Sequence, residues 1–183
     1  MRSLSPRERW ALSDRDWCRR VNHWCGKRAA LRYFAVVSRL GDGVFWYLLM
    51  GALAVFGGSR GVQAALHMAG ISVVSLLLYK SLKHWTKRPR PFASDRRVQA
   101  WIAPLDEFSF PSGHTLHAVG FTLVALAYFP VLAWLLIPFS ASVAASRVVL
   151  GLHYPSDVLA ATGIGSALAL VSIWIVPGAS YFG

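Results

Sequence analysis

Two histidines and an aspartate stand at the mouths of long hydrophobic runs, where ionisable groups are costly. His114 follows Pro111, Ser112 and Gly113 directly ahead of one run, and His153 and Asp157 bracket the start of another. Imidazole titrates close to neutrality, so it suits both nucleophilic and acid–base work. Cations accompany these groups. Lys83, Lys87, Arg88 and Arg90 lie in the stretch KHWTKRPRP that closes an earlier run, and Arg147 ends the run before His153. Histidine combined with arginine and lysine points to phosphoryl chemistry, because a guanidinium fork pairs bidentately with phosphate oxygens.

Each cluster also has an ordinary explanation. The cations of KHWTKRPRP could be a flank that snorkels to the headgroups, although Pro89 and Pro91 stiffen the backbone around Arg90. Ser112 could be a plain helix N-cap, or part of an anion site in which Gly113 admits a close approach and the helix N-terminus supplies N–H donors. Asp157 falls in the first turn of the helix that Pro155 opens, where it could simply favour the dipole. Alternatively, it accepts a hydrogen bond from one ring nitrogen of His153 and leaves the other as a nucleophile.

The elements that carry these residues are membrane helices. The chain has 183 residues, 55% of them hydrophobic, with eight Trp and a mean hydropathy of +0.45, which is more than a soluble core of this size needs. A bilayer core about 30 Å thick takes roughly 20 residues of helix. Five crossings are expected, at about 44–59, 62–82, 114–129, 131–150 and 156–176, with Pro130 dividing the third long run and Pro138 kinking the fourth crossing. Residues 21–42 are the place where a sixth would lie. The expected organisation is therefore an all-α membrane bundle: a basic interfacial segment over 1–43, a transmembrane core over 44–176 and a short tail over 177–183.

Within the first segment, Trp10, Trp17, Val21 and Trp24 recur at helical spacing among arginines. This pattern suits a helix lying in the headgroup layer or one packed on the bundle. The stretch Ser13–Asp16 reads as its capping box. No apolar stretch of 7 to 15 residues precedes a small-residue cleavage site, so no cleaved signal is expected. Cys18 and Cys25, about 10 Å apart on one helix, are expected to be free thiols.

With five crossings, all three polar clusters share one side of the membrane. Of the 19 Lys and Arg, only Arg60 lies on the other, which favours a cytoplasmic site. The net charge of +11 suits anionic headgroups. No nucleic-acid module accompanies it, so no nucleic-acid partner is expected.

In order, Lys83-x6-Arg90-Pro91, Pro111-Ser112-Gly113-His114 and Ser146-Arg147-x5-His153-x3-Asp157 resemble the three-part signature of the type 2 phosphatidic acid phosphatases, a superfamily that also holds glucose-6-phosphatases and vanadium haloperoxidases. The motifs span 83–157, and the apolar runs extend the resemblance to about 44–176. That family's core usually has six crossings, one more than expected here. The resemblance implies a metal-independent, cofactor-free lipid phosphatase of the bacterial inner membrane. His153 would be the nucleophile that becomes phosphohistidine, Asp157 would orient it, and His114 would be the general acid and then base. Lys83, Arg90, Arg147, the Ser112 hydroxyl and the Gly113 N–H would hold the phosphoryl oxygens. Phosphatidate, phosphatidylglycerophosphate, lysophosphatidate and undecaprenyl diphosphate are the substrates it suggests. A non-catalytic lipid-binding protein and a haloperoxidase-like enzyme are the rival readings. His117 is expected to support or pack rather than ligate a metal, His23 and His84 to sit at the interface, His67 to need a polar partner, and Asp106 and Glu107 to lie in a solvated loop or to shape the mouth of the site.

Overall fold

The computed structural model describes residues 5–176, so the expected tail over 177–183 lies outside the described residues. All regular elements among them are helical. They are α1 (Pro6–Asn22), a 3-10 turn (His23–Gly26), α2 (Arg28–Arg39), a π-helical turn (Leu40–Val44), α3 (Phe45–Phe56), α4 (Gly58–Thr86), the short α5 (Pro91–Ser94), α6 (Gly113–Tyr128), a second 3-10 turn (Pro130–Leu132), α7 (Ala133–Val149) and α8 (Pro155–Ile175).

Four stretches are long and apolar enough to cross a membrane: Arg28–Phe56, Gly58–Ser94, Pro130–Val149 and Pro155–Ile175. The chain is a multi-pass membrane protein. The helix expected as a further crossing, α6, is not among these four: it has only 16 residues, about 24 Å of helix. It packs on α4, α7 and α8 and buries Leu116, Phe121, Val124 and Ala125 among them. The outer helices instead show apolar side chains such as Leu66, Leu77, Leu159 and Leu170 to the surroundings, which in a bilayer are hydrocarbon.

The first apolar stretch begins sooner than expected. A kink at Gly43, with φ 134°, separates α2 from α3, and α2 packs along α7. This stretch accounts for the region 21–42, where a further crossing could be sought. At its N-terminus α1 begins at Pro6. The Ser5 hydroxyl accepts from the Glu8 N–H, and the Glu8 carboxylate accepts from the Ser5 N–H, so the capping box is here and Ser13–Asp16 lies inside the helix. The proline-opened break before α7 is where it was expected, as a 3-10 turn over Pro130–Leu132. His67 finds its polar partner in the Tyr128 hydroxyl, 3.2 Å from Nδ1.

Helix α1 and the 3-10 turn after it pack on the bundle by one face. Trp10, Trp17 and Trp24 remain exposed, while Asp14, Cys18, Asn22 and Cys25 on the opposite side are buried. Asn22 Nδ2 donates to the carbonyls of Gln99 and Val149, both at 3.0 Å. The Cys18 and Cys25 thiols are unbridged and point at the carbonyls of His153 and Val149. A small polar face is needed there because it covers loop backbone, whose carbonyls require donors.

The approach of α6 to α8 is set by Gly165. A Cβ there would lie 2.7 Å from the Leu116 carbonyl oxygen, a backbone atom that cannot yield. Gly165→Leu is expected to destabilise the fold by roughly 1–3 kcal/mol through overpacking. It should also lower activity, because α6 begins at Gly113–His114 and α8 begins just after His153. Thermal unfolding and phosphate release in the same detergent check this, and an unchanged melting temperature would contradict it.

Candidate active site

A cavity of about 610 Å³ opens where α3, α4, α6 and α7 meet the loops that precede α6 and α8. Of the sequence-selected residues, Lys83, Arg90, Gly113, His114, Arg147 and His153 line it. Residues separated by up to 70 positions thus share one chamber, which continues along Trp46, Tyr47, Leu76 and Phe121 into the apolar part of the bundle.

Lys83 stands in the last turns of α4. Arg90 is the N-cap residue of α5, with Pro91 opening that turn. Both are buried, and both grip one carboxylate. The Lys83 ammonium lies 2.6 and 2.7 Å from the two oxygens of Asp106, and Arg90 Nη2 lies 2.7 Å from Oδ1. Burial alone would push the Asp106 carboxyl up, but the Lys83 and Arg90 hydrogen bonds outweigh it and hold the group below the usual carboxylate range. Asp106 does lie in an exposed loop, as expected, and that loop lines the mouth of the cavity. Its carboxylate is an anion held by the cations assigned to phosphate.

His153 lies in the loop before α8. Its Nδ1 is 2.6 Å from the Ser109 carbonyl oxygen, so Nδ1 carries the hydrogen and the lone pair is on Nε2. Arg90 Nη1 approaches that Nε2 at 3.4 Å while donating to the Leu152 carbonyl at 2.8 Å. Burial first, and then the positive charges of Arg147, Arg90 and Lys83, lower the proton affinity of His153 well below the ordinary value of 6.5. The imidazole is neutral at pH 7.

Asp157 is placed differently from the simple pair expected. Its Oδ2 is 3.7 Å from His153 Nδ1, too long for a hydrogen bond, and accepts from the Tyr154 N–H at 2.9 Å. Its Oδ1 accepts from Arg88 Nη1 at 2.6 Å. Arg88 is thus no snorkelling flank. It reaches Asp157 with one nitrogen and Asp14 of α1 with the other, at 2.7 Å, and lies over the Tyr154 ring with 4.2 Å to the centroid. Asp14 in turn accepts from the Ser156 N–H at 3.0 Å and from its hydroxyl. The N-terminal helix is joined by this network to the first turn of α8.

Ser112 is buried and caps α6, its hydroxyl within 2.9 Å of Thr115 Oγ1. In the free enzyme it serves the capping role expected of it, while its neighbours line the cavity. Gly113 and His114 do face the cavity, with the His114 Nε2 against the carboxylate of Asp42. Arg147, buried at the end of α7, has its Nη1 on the Ser38 hydroxyl. His117 Nδ1 is 2.9 Å from the Gly113 carbonyl oxygen, a supporting position at the cavity wall.

Asp14 and Asp42 around this site escape sequence reasoning, and Arg88 and Asp106 are noticed there without their ion-pair partners. Asp42 had a weak signal in its flanking glycines, Gly41 and Gly43. Arg88 had one in the proline that follows it. Asp106 had one in its place in the loop before Pro111, and Asp14 had none, since it acquires its meaning from a partner 74 positions away.

A family model described as the PAP2 superfamily matches residues 60–181, the stretch that holds all three motifs. Phosphatidylglycerophosphatase B of Escherichia coli (strain K12) is 23% identical over 91% of this chain and 80% of its own length. Undecaprenyl-diphosphatase BcrC of Bacillus subtilis (strain 168) is 28% identical over 63% of this chain and 60% of its own. The fold is similar to the crystal structure of a transmembrane PAP2 type phosphatidylglycerolphosphate phosphatase from Bacillus subtilis, with a TM-score of 0.71 and 24% identity, covering 90% of this chain and 85% of that one. The motif order, the membrane bundle and the matched model agree: the chain belongs to the PAP2 superfamily and is a membrane-embedded hydrolase of phosphate esters.

Proposed function

We propose that the protein hydrolyses a lipid phosphate in the bacterial inner membrane through a phosphohistidine on His153, without a metal or other cofactor. The observation that carries this reading is the neutral, fully enclosed His153, whose Nε2 lone pair sits beside Arg90 in the cavity that Lys83, Arg147 and His114 also line. In-line attack on phosphorus needs a nucleophile, charge stabilisation on three equatorial oxygens and a proton for the leaving oxygen. Nε2 of His153 forms the N–P bond. Lys83, Arg90, Arg147 and the Gly113 N–H hold the oxygens. Asp106, which those cations grip in the free enzyme, gives way to the phosphate. His114 protonates the departing oxygen and then takes a proton from the water that attacks the phosphohistidine. Asp157 acts on His153 at 3.7 Å as a charge, with Arg88 fixing its position.

The substrate enters with its tails in the bilayer, since the cavity continues along apolar Leu76, Trp46 and Phe121. Phosphatidylglycerophosphate is the first candidate, supported by the name of the E. coli relative that aligns over most of the chain. Phosphatidate and undecaprenyl diphosphate are its competitors. The concentration of Lys and Arg on the side of the site supports a cytoplasmic orientation.

Phosphate release from those three lipids in detergent, with and without EDTA, tests the assignment. Quenching in alkaline detergent during turnover should trap an acid-labile, base-stable phosphoryl group on His153. An EDTA-sensitive enzyme with no such adduct would overturn the reading. A pH dependence follows from the depressed proton affinity of His153. The acid limb of kcat/KM that protonates the nucleophile is expected below the ordinary histidine value of 6.5. Stability carries the same sign: between the folded value and 6.5 the unfolded chain binds a proton that the native chain refuses, so stability is full above 6.5 and declines as pH falls beneath it.

A further inference from the structure

Resting on the reading of His114 as the proton donor, we infer that Asp42 is a positioning residue for that histidine, holding its Nε2–H so that Nδ1 meets the leaving oxygen. Asp42 belongs to none of the three motifs and lies outside the stretch matched by the family model. Its carboxylate is in ion-pair contact with His114 Nε2, a buried nitrogen that makes no aligned hydrogen bond in the free enzyme, and Gly41, Asp42 and Gly43 line the same cavity as His153.

The backbone is built to present it. Asp42 sits in the π-helical turn where α2 gives way to α3, and Gly43 adopts φ 134°, a conformation that side chains other than hydrogen resist. A Cβ at Gly41 would press within 3.1 Å of the Val143 side chain. Just ahead of the turn, Ser38 is tied to Arg147, so the kink is anchored to α7. The groups that share the neighbourhood of the pair are Arg147 from α7, Lys83 and Tyr79 from α4, His117 on the same helix, and His153 from the loop before α8. Among these, Asp42 is the acid in contact with the His114 ring.

A carboxylate on one imidazole nitrogen fixes the tautomer and leaves the other nitrogen for chemistry. In the first half-reaction His153 Nε2 forms the bond to phosphorus, the bond from phosphorus to the alcohol oxygen breaks, and the proton on His114 Nδ1 passes to that oxygen. His114 is then neutral, still donating Nε2–H to Asp42, with its lone pair on Nδ1. In the second half-reaction water oxygen bonds phosphorus, the N–P bond breaks, and Nδ1 takes the proton from water, restoring the starting state as inorganic phosphate leaves. With the carboxylate gone, the neutral ring is free to carry its hydrogen on either nitrogen, and proton transfer is lost in proportion.

The experiment compares kcat/KM for an alkyl phosphate, whose alkoxide must be protonated to leave, with 4-nitrophenyl phosphate, whose phenolate leaves without a proton. Asp42→Asn should lower the alkyl-to-aryl ratio at least about 10- to 100-fold, the effect of losing the partner that orients a metal-bound imidazole. His114→Ala should lower the same ratio by about 10²- to 10⁴-fold. Asp42→Glu keeps the carboxylate and should hold the ratio within about threefold of the parent. A merely structural role would depress both substrates alike. An unchanged ratio in D42N beside a collapsed ratio in H114A would remove Asp42 and leave His114 in place. An unchanged ratio in H114A would remove the general-acid reading and this inference with it. A collapse in D42E as deep as in D42N would show that the carboxylate is not what matters and would also overturn the inference.

Discussion

Replacing His153 by alanine is expected to abolish phosphate release from every lipid phosphate that the parent enzyme turns over, with a loss of at least about 10⁴-fold in kcat. The expectation follows from enclosure. His153 is 1% exposed, and water cannot easily substitute for an imidazole whose Nδ1–H is donated to the Ser109 carbonyl and whose Nε2 is presented beside Arg90. His114 and His117 also reach the cavity, but they ride on α6, with His114 against Asp42 and His117 turned to the Gly113 carbonyl. Loss of the Ser109 hydrogen bond should cost about 1–3 kcal/mol of stability, so the variant should remain folded in detergent. Size exclusion and thermal unfolding, run beside the assay, separate a folded inactive protein from an unfolded one. Turnover within tenfold of the parent by a folded H153A would remove His153 as nucleophile.

The second large effect belongs to Arg88, which sequence reasoning treats as one cation in a basic flank. Arg88→Ala strips the guanidinium from Asp157, whose side chain is wholly buried, and from Asp14, which is nearly so. Breaking one side of a buried ion pair typically costs about 3–5 kcal/mol, because the remaining charge is left without a counter-ion. A large fall in melting temperature is expected, together with a loss of activity as the loop holding His153 relaxes. The double variant R88A/D157N removes the orphaned charge and should melt higher than R88A alone. If the double variant melts lower still, the destabilisation does not come from an unpaired Asp157. Measuring both by thermal unfolding in one detergent isolates the coupling between the two residues.

Much of the architecture was legible because a bilayer leaves few options. Apolar runs near 20 residues must be helices, since only helices satisfy their backbone in hydrocarbon within one segment. Proline and glycine then mark the breaks, as Pro130 and Pro155 do. The clusters at Lys83, His114 and His153 were legible for the complementary reason: ionisable groups beside such runs are costly and stand out. The lysine, both histidines and Arg90 and Arg147 indeed line one cavity. Local plausibility left partners open. The hydroxyl of Ser112 suited phosphate as well as it suited a cap, and the structure shows the cap and its contact with Thr115. The Asp157 carboxylate suited His153, but the Ser109 carbonyl lies closer to the ring.

By itself the sequence determined the membrane bundle, the order of the three motifs and the end of each helix at which chemistry could occur. These depend on hydrophobic length and on residue type, both local properties of the chain. Only the tertiary structure decided which carboxylate faces which cation. Asp106 closes on Lys83 and Arg90, Arg88 bridges Asp14 and Asp157, and Asp42 meets His114 across helices that are distant in sequence. Charge pairing falls off over a few ångströms inside a low-dielectric interior, so the assignment of partners depends on packing distances that periodicity and composition do not contain.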